Sequence, residues 1–207
     1  MNAKSSERMS AEDRRDQIIV AAAAVFGERG YVGGTTDQVA RQAGISQAYV
    51  VRMFGSKEKL FAAVGDYATA RVIGAFRGAI ATFPDGATIA DRQVLLGAAY
   101  GSLIADRGLL LSLLQLFSQG HDPVLGDQAR RCFLEVFRVV RDEARLGPEA
   151  ATQFFSGGML LTVLMAMRMP DAANDPDAAQ LLSFATGPRG PQLIELMTHP
   201  PLGDARR

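Results

Sequence analysis

Apolar positions recur every three to four residues along almost the whole chain, and no stretch alternates apolar with polar over the length of a strand. The pattern therefore predicts an all-α fold. Ile18, Ile19, Ala22, Val25 and Phe26 share one face of a first helix over about residues 11–29. Gly30 ends it, and Tyr31-Val32-Gly33-Gly34 forms a loop. Thr35 with Gln38 three residues on is a capping-box pair, so a short helix starts at Thr36 with Val39 and Ala43 inward and Ala40 small enough for a close crossing. Gly44 closes that helix in the left-handed conformation, and Ile45 anchors the turn. Ser46 caps a following helix in which Val50, Met53 and Phe54 fall on one face.

From Ser56 a long helix extends to about Ala81, with Leu60, Phe61, Val64, Tyr67, Ala68, Val72, Ala75 and Phe76 on its buried side. Pro84-Asp85-Gly86 breaks it. Further helices are expected at about 88–105, 107–118, 123–145, 148–169, 176–185 and 191–198. The breaks between them are Asp106-Arg107-Gly108, Gly120-His121-Asp122-Pro123 and Leu146-Gly147-Pro148-Glu149, and Pro170 stops the longest late helix. Segments 170–176 and 187–191 read as loops. Residues 1–11 and 198–207 read as loose termini, with Arg8, Arg14 and Arg15 more solvated than bound.

The stretch 35–59 places two short helices about a glycine turn, which is the spacing of a helix-turn-helix. Gln47, Ala48, Tyr49 and Arg52 then face away from the apolar side, where the second helix of such a unit meets the DNA major groove. Gln bonds adenine through two atoms, Arg bonds guanine or phosphate, and Ala permits deep seating against a thymine methyl. Thr35, Thr36 and Ser46 at helix starts, and Lys57 at the start of the long helix, are candidates for holding backbone phosphates. The plainer alternative is a pair of packed helices with a solvated polar face, a shape also found in proteins that bind other proteins.

Residues 13–64 resemble the N-terminal domain of the TetR family of transcriptional repressors. The resemblance rests on FGERGY at the end of the first helix, on TTDQVARQAGIS, and on MFGSKEKLF after the second short helix. It differs in carrying Val51 and Met53 where many relatives have tyrosines, and Tyr49 where they have a small hydroxyl residue. Tyr49 is thus the phenol able to take over a phosphate contact. The resemblance implies a three-helix DNA-binding domain over 1–56 and a larger helical domain over 57–207 that dimerises and often holds a small effector. Repression of a pseudo-palindromic operator is likewise an implication of the resemblance.

Composition changes this picture little. The 207 residues are 48% apolar, enough for a core without staples. Net charge is zero, but residues 1–60 carry nine basic against seven acidic side chains, an asymmetry of the sign a DNA-binding end needs. The single Cys132 excludes an internal disulfide and reads as a core thiol, so a reducing, cytoplasmic setting is expected. No apolar run is long enough for a membrane helix, and MNAKSSERMSAEDRR has no apolar leader segment, so no membrane association is expected. His121 and His199 stand alone, so neither a metal nor a cofactor is expected. No nucleophile–base arrangement or glycine-rich phosphate loop supports an enzyme.

In the larger domain, Tyr100, Leu103, Leu113, Gln115, Phe117, Phe133, Phe137, Phe155 and Met159 are candidates to line a cavity for a hydrophobic effector. The segment 149–169 is apolar nearly all round. Gly157 and Gly158 within it, with Leu161 and Met165, are candidates for close helix approach across a homodimer axis. The alternative for that segment is the central core helix of a monomer.

Overall fold

The computed structural model describes residues 10–187 and 190–198, and every element among them is helical. The helices are α1 (Ala11–Gly33), α2 (Thr36–Gln42), α3 (Gln47–Phe54), α4 (Lys57–Ile80), α5 (Ile89–Leu103), α6 (Arg107–Phe117), α7 (Pro123–Arg138), α8 (Gly147–Ala166), α9 (Pro176–Thr186) and α10 (Gly190–Thr198). From α1 to α7, and again at α9, the residue before the helix is Ser, Thr or Asp, and its side chain accepts a hydrogen bond from an amide of the first turn. Those amides have no partner inside the helix, so the short polar side chain fixes where each helix starts. Arg8, residues 188–189 of the expected loop, and the tail with His199 lie outside the described residues.

The expected boundaries shift at three places. Gly30 interrupts α1 at φ 69°, but Tyr31 to Gly33 resume a helical turn in place of the expected loop. That turn is closed by the Gly34 amide donating to the Gly30 carbonyl at 3.0 Å, and by Phe26 packed so close that a Cβ on Gly34 would lie 2.6 Å from its ring. The helix expected over 123–145 is α7 followed by one π-helical turn, Val139–Glu143. α8 ends at Ala166, short of Pro170, because proline lacks the amide that would bond the Ala166 carbonyl. Arg168 takes a left-handed conformation (φ 54°) and Pro170 is buried in a 3-10 turn, Met169–Ala172.

Two apolar cores result, and α4 runs through both. Ile18, Phe26, Val39, Val50, Phe54, Leu60, Phe61 and Val64 form the first, to which Leu116 of α6 and Leu125 and Cys132 of α7 are added. Val72, Phe76, Leu96, Leu109, Leu110, Val140 and Met165 belong to the second. The first two turns of α4 therefore pack with α1 to α3. Leu60, Phe61 and Val64, beyond the expected division at residues 56 and 57, lie in the first core.

The two units are joined most closely where α1 crosses α6. A Cβ on Gly27 would lie 2.7 Å from the Gly108 carbonyl oxygen and 2.9 Å from its Cα, so only glycine lets these backbones touch. Ser112, fully buried, holds its hydroxyl 2.7 Å from the Gly108 carbonyl of its own helix and 2.9 Å from the Ala23 carbonyl of α1, so one hydrogen is shared between the two. Gly27→Val is expected to lower unfolding stability by about 2 kcal/mol, the scale of overpacking a tight contact. Gly74→Ala, at an exposed helical position with open space around it, is expected to raise stability by a few tenths to about 1 kcal/mol. Urea midpoints check both, and an unchanged midpoint for Gly27→Val would show that the crossing is not tight.

Candidate functional site

The helix-turn-helix is built by local rules. Thr35 Oγ1 accepts from the Gln38 amide at 3.2 Å, and Gln38 Oε1 accepts from the Thr35 amide at 2.9 Å, which fixes the start of α2. Gly44 at φ 67° turns the chain, with nothing crowding the position, and Ser46 Oγ accepts from the Tyr49 amide to start α3. Val39 and Ala40 from α2 and Val50 and Phe54 from α3 are buried against α1 and α4, while Ile45 is half-buried at the turn. Gln17 of α1 donates to the Ala43 carbonyl at 3.2 Å, tying off the end of α2.

This packing leaves Gln47, Ala48 and Arg52 exposed along one side of α3, with Tyr49 half-buried beside them. The Gln47 amide nitrogen donates to Thr36 Oγ1 at 3.0 Å, joining the N-terminal turns of α2 and α3. One Gln47 N–H and the Oε1 oxygen remain free, the donor and acceptor that an adenine edge requires. The Arg52 guanidinium lies 4.8 Å from the centre of the Tyr49 ring. A long flexible side chain is thus held over a rigid aromatic plate.

Lys57 also makes a structural contact. Its ammonium donates to the Val32 carbonyl at 3.1 Å and sits 4.8 Å over the Tyr31 ring, and burial pushes its pKa below the ordinary lysine value. It braces the kinked end of α1 against α4 with one of its three donors. Tyr31 itself stacks on Phe61 at 4.7 Å, as a core ring.

In the second core a cavity of about 70 Å³ lies among α4, α5, α6, α7 and α8. Of the candidate lining residues, Tyr100, Leu113, Phe117, Phe133, Phe155 and Met159 meet there. Three do not. Leu103 is buried in the core away from the cavity, Gln115 reaches back to the kink, where a Cβ on Gly30 would be 3.2 Å from its Oε1, and Phe137 packs edge-on against the outer side of Phe155. The sequence reading missed Thr162, whose hydroxyl bonds that of Tyr100. Thr162 lies four residues after Gly158 and three after Met159, so the helical spacing placed it on the cavity face.

The expected dimer residues divide as well. Gly158 faces the Tyr100 ring at 3.6 Å, and Met165 is 1% exposed inside the subunit, so both belong to the interior. Leu161 is half-buried against the second core, and Gly157 faces outward with open space. The outer side of α8 instead presents Leu160, Val163 and Met167, and Leu181 and Phe184 of α9 are exposed as well. Phe184 is 82% exposed. Cys132 is buried, and burial raises its thiol pKa. His121 is exposed.

Residues 18–64 match the sequence profile of bacterial regulatory proteins of the tetR family. The matched stretch is 47 of the 207 residues and covers the helix-turn-helix with parts of α1 and α4. A stretch of 78 residues, 38% of the chain, is 33% identical to the transcriptional activator FasR of Mycolicibacterium smegmatis and spans only 36% of that protein. The fold is shared more widely. The fatty acid degradation regulator FadR of Bacillus halodurans superposes with a TM-score of 0.62 at 17% identity, over 97% of this chain and 100% of that one. FadR of Bacillus subtilis in complex with stearoyl-CoA gives 0.56 at 18% identity, over 88% and 96%. Among the described residues no single helix is long and apolar enough to cross a membrane.

Thr35→Ala is expected to cost about 1 kcal/mol of stability, because it removes the oxygen that caps α2. Gln38→Ala is expected to cost less, since the Thr35 hydroxyl still accepts the Gln38 amide. Urea denaturation followed by circular dichroism measures the difference, and equal losses would deny the hydroxyl its leading part.

Proposed function

We propose that the chain is a DNA-binding transcriptional repressor that acts as a homodimer on a pseudo-palindromic operator and is released by a hydrophobic small molecule. The observation that carries this reading is the exposed edge of α3, where Gln47 and Arg52 are each held by a neighbour in a conformation that leaves base-reading atoms free. Gln47 reads adenine and Arg52 guanine. Ala48 lets α3 sit deep, while Thr35, Thr36, Ser46 and the remaining donors of Lys57 contact phosphates. Tyr49 serves chiefly as the plate on which Arg52 rests.

A single α3 contacts one half-site, and two copies about 34 Å apart are needed for tight, selective binding. The outward side of α8 and α9 supports such a pairing. Leu160, Val163 and Met167 follow one another at helical spacing, and Phe184 stands in solvent on the adjoining helix. A two-fold contact would bury all of them, and Gly157 permits close approach between the helices. Repression requires nothing beyond this, because an occupied operator excludes other proteins. Activation, which the name of the matched relative describes for that protein, would also require a surface that recruits the transcription machinery. A protein-interaction role without base reading is separated by sequence preference.

Arg52→Ala is expected to weaken binding to fragments selected from random DNA by about tenfold to a hundredfold, the worth of one good base contact, while the dimer stays folded. Tyr49→Phe is expected to leave affinity within a few-fold, since the ring remains, and Tyr49→Ala to approach the loss of Arg52→Ala. Gel shifts at fixed salt measure all three, and unchanged affinity and sequence preference for Arg52→Ala would remove it from the interface. Phe184→Asp is expected to give monomers in sedimentation, and a full-mass dimer would place the interface elsewhere.

A further inference from the structure

The cavity in the second core has a sharper chemistry than its apolar character alone. Its rings come from Phe76, Tyr100, Phe117, Phe133, Phe154 and Phe155, and several meet edge to face, as Phe76 does with Phe154 at 5.6 Å and Phe133 with Phe155 at 5.2 Å. Among the described residues none that lines it is charged. A carboxylate or phosphate taken in would lose its hydration without meeting a cation, a penalty of several kcal/mol. The walls therefore select against anions.

Polar chemistry at the wall reduces to one pair, and its hydrogens can be assigned. Thr162 Oγ1 is 3.0 Å from the Gly158 carbonyl oxygen, which can only accept, so the single Thr162 hydrogen goes there. Giving the Thr162 hydrogen to that carbonyl makes Tyr100 the donor between the two hydroxyls. Burial raises the Tyr100 pKa further above its ordinary value, so the phenol stays protonated. With its own hydrogen committed, the Tyr100 oxygen offers the cavity an acceptor and no donor.

We infer that this cavity takes a compact, uncharged, ring-bearing molecule with one hydroxyl group, a phenol in the simplest case, whose O–H donates to the Tyr100 oxygen while its ring packs among the surrounding aromatic side chains. The inference rests on the reading of the cavity as the effector site and names the class of effector. At about 70 Å³ the space suits a single ring with slight opening of its walls, whereas typical ligand pockets measure about 300–1,000 Å³. A long acyl chain exceeds the volume, and a coenzyme is disfavoured by volume and charge alike. Aromatic edge-to-face contacts favour a planar guest over a branched aliphatic one of equal area.

The test is direct binding to the purified full chain without DNA, by calorimetry and thermal shift, with 4-ethylphenol, ethylbenzene, 4-ethylbenzoate and stearoyl-CoA. 4-Ethylphenol is expected to bind about tenfold more tightly than ethylbenzene, the worth of one net hydrogen bond, and the two anions not to bind. Tyr100→Phe is expected to close the gap between the first two ligands while leaving ethylbenzene binding intact. Gly158→Leu, which fills the cavity beside the Tyr100 ring, is expected to abolish both. Absence of 4-ethylphenol binding, anion binding as tight as that of the phenol, or a tenfold gap that survives in Tyr100→Phe would each overturn the inference. The Tyr100→Phe comparison is a ratio within one variant and stands even if Gly158→Leu fails to fold. Phenol binding that leaves operator affinity unchanged would sink the release step of the proposed function and not this inference.

Discussion

The contact on which the rest depends is the backbone crossing of α1 and α6. Gly27 and Gly108 bring the two helices together without side chains between them, and the buried Ser112 hydroxyl lies between the Gly108 and Ala23 carbonyls. A side-chain interface can slide by repacking, because its atoms have alternative rotamers. A backbone interface has none and moves as a unit. α4 adds a second link, one continuous helix that contributes Leu60, Phe61 and Val64 to one core and Val72 and Phe76 to the other. The domains of this chain are two cores on a shared frame, and the frame restricts their relative motion.

The parts of the structure legible in the sequence are those set by short-range rules. Thr35 with Gln38, Ser46, and the left-handed Gly44 each act within three or four residues, so reading them in order located α2, the turn and α3 with little error. The exposed edge of α3 followed from the same spacing. What the sequence hid was set by partners distant along the chain. Gly27 reads as a poor helix residue until α6 is laid against it. Lys57 reads as a free cation at a helix start, yet the kink at Gly30 carries the Val32 carbonyl to its ammonium.

The late helices show the same limit in another form. α8 is apolar nearly all round, so periodicity shows that it is surrounded but not which side faces what. Leu164 and Met165 are buried in the subunit while Val163 and Met167, at neighbouring positions of similar hydropathy, face outward. Only the arrangement of α5, α6 and α9 around α8 decides between them. The cavity was legible in part for a related reason. Aromatic side chains at core spacing were easily counted, but Leu103, Gln115 and Phe137 differ from Phe155 and Met159 only in direction, and Thr162 carried no signal beyond its place on the helix.

Cavity volume and crossing geometry together limit how an effector of the proposed kind could act. α6 carries Leu110, Leu113 and Phe117 on its cavity side and Gly108 and Ser112 on its α1 side. A guest larger than about 70 Å³ enters only if a wall retreats. Displacement of α6 reaches α1 through touching backbones, with no soft layer to absorb it, and α1 holds the end of α2 through Gln17 and the Ala43 carbonyl. Allosteric coupling energies of about 1–3 kcal/mol, five- to 150-fold in affinity, need only small shifts when two reading helices must keep register with one duplex. In such a frame, the tightness of the crossing governs how much of a movement at the cavity reaches α3, and the volume of the cavity governs how large that movement must be.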